Sequence, residues 1–140
     1  MRSVAIFFFL ILGWSTQTFN ATTSSHRDSL SVSHVEAPTY PSIALAAQVQ
    51  GTVEVTVEVN EKGEVSAVRA FERSLFDREV ERNVRTWKFS HLPVDANFPI
   101  THTVRYEFTI EGEPAHVCPL VIFDLPDRVR IIAHPPIPQP

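Results

Sequence analysis

The chain has 140 residues, a length that holds one domain with an adequate core. Its acidic residues outnumber its basic ones and leave a net charge of −4, which argues against nucleic acid or an anionic membrane as partner. A single cysteine, Cys118, excludes an intrachain disulfide, so packing alone must hold the fold.

Arg2 precedes an apolar run over residues 4–14, interrupted only by Gly13. The run is about half the roughly 20 residues a membrane-spanning helix needs. It reads instead as the core of a secretory signal peptide. Gly13 and Ser15 form a small-x-small site, so residues 1–15 are expected to be the leader, with a later cleavage near Ala21 as the weaker choice. The protein is thereby expected to be exported, to the periplasm or beyond, and tethered only if the leader is retained. Residues 16–34 are rich in Ser and Thr, which predicts a disordered linker with structure beginning near Val35.

Pro41 suits a first helical position, and the alanine-rich residues 41–48 predict a short helix that packs closely on a sheet. Residues 51–59 alternate without a break: Val53, Val55, Val57 and Val59 against Thr52, Glu54, Thr56 and Glu58. That period predicts a strand buried on one face. Asn60 to Gly63 reads as a tight turn, with Gly63 free to adopt the left-handed conformation, and residues 64–71 return as a second strand. Asp77 is placed as the N-cap of a helix over residues 77–87, whose apolar stripe is Val80, Val84 and Trp87. Phe76 is expected to staple onto that stripe. After a loop through Pro93 and Pro99, residues 101–111 alternate again, with Val104, Tyr106, Phe108 and Ile110 inward.

The order helix, strand, strand, helix, strand predicts a two-layer α+β domain over residues 35–112. In it a three-stranded antiparallel sheet is covered on one face by two helices. Residues 113–140 form a Pro-rich extension with two strand-like segments, 119–123 and 127–132, and a tail of polyproline type.

No catalytic motif is legible: there is no phosphate-cradling loop, G-x-S-x-G, H-E-x-x-H or C-x-x-C. Acid–base chemistry would require His91 or His102 to converge with a carboxylate in a pocket. His116 and Cys118 share one side of an extended segment, but two ligands fall short of a zinc site, so neither metal nor cofactor is expected. Arg78, Arg82 and Arg85 are interleaved with Asp77, Glu79 and Glu81, which marks a solvated, salt-bridged helix face.

The ordered set of motifs resembles the TonB C-terminal domain, the periplasmic part of an energy transducer. It comprises Tyr40-Pro41 with Ala44, Gly51-Thr-Val-Glu-Val, Asn60-Glu-Lys-Gly63-Glu-Val65, Asp77, Val84-Arg-Thr-Trp87-Lys-Phe89 and the last alternating strand. The resemblance covers residues 35–111 and implies a non-enzymatic module. Such a module binds an extended segment of an envelope receptor by strand addition at a sheet edge. It places the candidate edge on the third strand, at Thr103, Val104, Arg105, Tyr106, Glu107, Phe108 and Thr109. The spacer ahead of the domain is short and the turn before Asp77 lacks glycine, so partner binding is expected without force transduction. Alternatively, the chain is a structural homodimer whose extension caps or exchanges the edge, in cis or between two copies.

Overall fold

The computed structural model describes residues 30–70, 73–92 and 95–138. The expected leader, most of the expected linker and Pro93 lie outside the described residues. Order begins earlier than the sequence suggests. Strand β1 (Ser31–His34) occupies the end of the expected linker, and Leu30 ahead of it is buried. Val32 stands opposite Phe89 in strand β4 (Lys88–Ser90), and Leu30, Val32 and Val35 together tie this otherwise polar stretch to the core.

Helix α1 (Ser42–Ala46) is shorter than expected. It starts after Pro41, which has no N–H to satisfy, and the chain turns away at Gln48, whose φ is 51°. Ala44 is fully buried. Strand β2 (Gly51–Val59) follows the alternation, with Val53, Val55, Val57 and Val59 all buried. In the turn to strand β3 (Val65–Ala70), the Asn60 carboxamide oxygen accepts the N–H groups of Lys62 and Glu64. Gly63 adopts φ 76°, and a Cβ there would collide with the Phe89 carbonyl oxygen. The Phe89 N–H donates to the Gly63 carbonyl at 2.7 Å, so glycine is demanded by both conformation and space.

Helix α2 (Asp77–Val84) buries Val80 and Val84 and ends one turn before the fully buried Trp87. Asp77 is its first residue rather than its cap. The carboxylate accepts the Ser74 N–H at 2.9 Å and the Ser74 hydroxyl at 2.6 Å, bracing the turn ahead of the helix. Phe76, expected as a staple on the helix stripe, is buried against aromatic rings from other elements. It stacks on Phe108 with ring centroids 4.2 Å apart and meets the edge of Tyr40.

Strand β5 (Ile100–Ile110) lies antiparallel to β2 over its whole inner length. The expected three-stranded sheet is corrected here. The extension adds strands β6 (Leu120–Asp124) and β7 (Arg128–Ala133), giving a five-stranded mixed sheet of order β3-β2-β5-β7-β6. The pair β5–β7 is parallel and the others are antiparallel. The physical reason is burial. Val129, Ile131 and Ala133 stand beside Tyr106, Phe108 and Ile110 and join the same core, which the helices cover from one side. Among the described residues no helix is long and apolar enough to cross a membrane.

Candidate functional site

The seven residues singled out on β5 do not form an edge. Val104, Tyr106 and Phe108 are buried; β2 pairs with the strand along its length, and β7 pairs with it from Arg105 to Ile110. The extension supplies the second partner. The Arg105 N–H donates to the Asp127 carbonyl at 2.9 Å, and the Glu111 N–H to Ala133 at 2.8 Å. On the wet face Thr103 meets Thr56 hydroxyl to hydroxyl, and Arg105 reaches Glu107 at 3.1 Å and Glu54 at 3.8 Å. Thr109 donates to Glu111. These side chains form a ladder on the wet face, and from Arg105 onward the backbone that carries them is flanked by both β2 and β7.

Two rims of the five-stranded sheet remain open among the described residues. At one, β3 presents Ala67, Ala70 and Arg69, and Arg69 is engaged by Glu58 at 3.1 Å. One end of that rim is closed by the Glu64–Lys88 bridge, and its pairing with β2 is irregular at Val59. Charge and irregular register are ordinary guards of an exposed edge.

The other rim, β6, is apolar in four residues of five. It pairs with β7 in unbroken register from Leu120–Ile132 to Asp124–Arg128. Val121 and Phe123 share the core side with Ile131 and Val129, while Leu120, Ile122 and Asp124 share the wet side with Ile132, Arg130 and Arg128. Asp124 lies 3.9 Å from both Arg128 and Arg130, so its charge is shared with its own sheet. A largely apolar groove of about 540 Å³ is lined by Tyr40, Leu45, Val117, Pro119 and Ile137, with His116 and His134 among its polar residues.

His102 does meet a carboxylate, Asp127, at 3.4 Å, but the contact closes the β6–β7 turn. Its Nε2 lies 3.1 Å from the Pro126 carbonyl, so the imidazole clamps that turn to β5. Among the described residues no three His, Cys, Asp or Glu side chains converge as metal ligands would.

A polar hub that the sequence reading missed lies beneath the sheet. Asn83, on α2 and buried, accepts the Tyr106 hydroxyl at 2.8 Å and the Trp87 indole N–H at 3.2 Å. Its own amide donates to the Glu36 carbonyl at 2.8 Å. Burial pushes the Tyr106 phenol pKa far up, with the nearby Glu79 charge adding to it, so the hydroxyl remains a donor. The available signal was position: residue 83 falls on the buried stripe between Val80 and Trp87.

A family model described as Gram-negative bacterial TonB protein C-terminal matches residues 36–110. Protein TonB of Yersinia enterocolitica is 46% identical over 55 residues, which cover 37% of this chain and 22% of that protein. The match thus spans about a fifth of the relative's length. The β6–β7 hairpin lies beyond the region the family model matches.

Proposed function

Because the chain belongs to the TonB protein C-terminal family, we propose that it is an exported protein-binding module that takes an extended segment of an envelope protein as an added strand along β6. The observation that carries this reading is the unpaired outer side of β6, an apolar strand at the end of the sheet. A rim of that kind offers backbone N–H and C=O groups in a row. An incoming segment satisfies them, while its alternate side chains meet Leu120 and Ile122 on one face and Val121 and Phe123 on the other.

The family is one of energy-transduction and binding domains, and binding is the step assigned here. The rim is displaced relative to the strand on which the family match ends. Strand β5 lies two strands inward and is paired on both sides from Arg105 to Ile110, so its wet residues Arg105, Glu107 and Thr109 would support the rim rather than touch the segment.

A photo-reactive side chain placed in turn at Ile122, Thr103 and Arg69, in cells that make the protein, tests the assignment. Capture of an extended segment of an envelope protein from Ile122 alone is the expected result. Capture from Thr103 or Arg69 without Ile122 would overturn it.

A further inference from the structure

The wet face of the β6–β7 hairpin carries more positive charge than its own carboxylate balances. Arg128 and Arg130 stand there on β7, and Asp124 lies 3.9 Å from each. At that separation the acid attracts both arginines and hydrogen-bonds neither. The hairpin's other acid, Asp127, turns to His102 at 3.4 Å. Glu107, beside Arg130 on β5, is engaged by Arg105 at 3.1 Å. The Arg130 Nε–H is buried and has no acceptor among the described residues. Its side chain is nevertheless 40% exposed, and it stands opposite Ile122, the middle residue of the open rim. The whole chain has a net charge of −4, so this excess is local. A buried donor without an acceptor is rare in a folded protein and points to a group that completes it.

We propose that the segment added along β6 carries a carboxylate side chain opposite Ile122, on the wet side, and that Arg130 and Arg128 bind it. This rests on the reading that β6 accepts an added strand. Both arginines lie beyond the region the family model matches, so the selectivity belongs to this chain's extension. The register leaves one position for the acid. A residue one place along would turn its side chain to the core side, beside Val121 or Phe123, where a charge has no partner. Opposite Asp124 it would meet a like charge. Opposite Leu120 the neighbour behind is Ile132, which offers no donor. Opposite Ile122 the neighbour behind is Arg130, two strand spacings or about 10 Å away between backbones. Long side chains of opposite charge, leaning toward each other over the isoleucine, close that distance. Two arginines then face two carboxylates, and the local excess is neutralised.

Fluorescence anisotropy with labelled peptides of sequence Thr-Val-Thr-Val-Xaa-Val-Thr-Val-Thr tests this, Xaa being Glu, Gln or Lys. The full chain is expected to bind the Glu peptide about fivefold more tightly than the Gln peptide, the range of a well-placed surface ion pair. The Lys peptide should bind most weakly, and added salt should shrink the preference. Arg130→Gln should bring the Glu and Gln peptides level, and Arg130→Glu should invert the order in favour of Lys. Arg69→Gln, on the opposite rim, should keep the wild-type order. Equal affinities of the three peptides for the wild type would overturn the carboxylate and leave strand addition standing. A preference for Glu that survives in Arg130→Glu would do the same. Binding of none of the peptides would overturn strand addition along β6, and this proposal with it.

Discussion

Asn83 is the residue on which the interior depends most for polar satisfaction. Replacing it with alanine would strand two buried donors at once, the Tyr106 hydroxyl and the Trp87 indole N–H, and would take one partner from the Glu36 carbonyl. Each unsatisfied group costs about 1–3 kcal/mol, so Asn83→Ala should destabilise the fold by about 3 kcal/mol. Tyr106→Phe removes one donor and leaves the Asn83 oxygen bonded to Trp87, so about 1 kcal/mol is expected. Urea unfolding of both variants separates the cases. Equal losses would mean that Asn83 is not the hub. Sequence alone could not supply this pairing. The apolar stripe at Val80, Val84 and Trp87 was visible by period, but a polar residue on it gives no sign of which neighbours it will satisfy.

Among the elements, β2 runs over the nine residues its valines marked, and β5 is offset by one residue from the alternating stretch 101–111. Strand β1 was hidden because its pairing with β4 rests on Val32 and Phe89, too little to set a period. The two strands of the extension were visible, yet their place in the sheet was not. Pairing order depends on which backbone rim lies within reach after the chain turns, and local composition is silent on that. The result is a candidate edge displaced from β5 to β6. If β7 is part of the core rather than a cover laid over it, Ile131→Ala should cost about 2–5 kcal/mol. Amide exchange in β5 and β7 should then quicken together with the rest of the sheet. Acceleration confined to β6 and β7, with little change in global stability, would show the hairpin to be an appendage.

At the level of the whole molecule, two carboxylates tie distant parts together. Glu79 is mostly buried, which by itself would raise its pKa. Hydrogen bonds from Arg82 and from the Thr39 N–H outweigh that and hold it below the usual value. Glu64 is lowered by the hydrogen bond and charge of Lys88, the contact that joins the second strand to the segment after α2. A carboxyl whose folded pKa is depressed stabilises the fold above its unfolded value, about 4.3, and that contribution is lost as pH falls through the folded value. Stability should therefore be level from pH 6 to 8 and decline with acid below about pH 5. Urea midpoints measured from pH 3 to 7 check the sign, and Glu79→Gln should flatten part of the slope. A midpoint that does not fall between pH 5 and pH 3 would contradict it.

The parallel neighbour of β5 arrives late in the chain, because β6 and both flanking turns must be made before β7 can be laid down. During synthesis the central strand therefore waits with one side bare until β7 has emerged. Contacts of that range form slowly, since the intervening segment must be gathered before they return any energy. The nascent protein is most open to proteases and to pairing with stray strands in that interval. The docking of β7 against β5 is the closing step of folding.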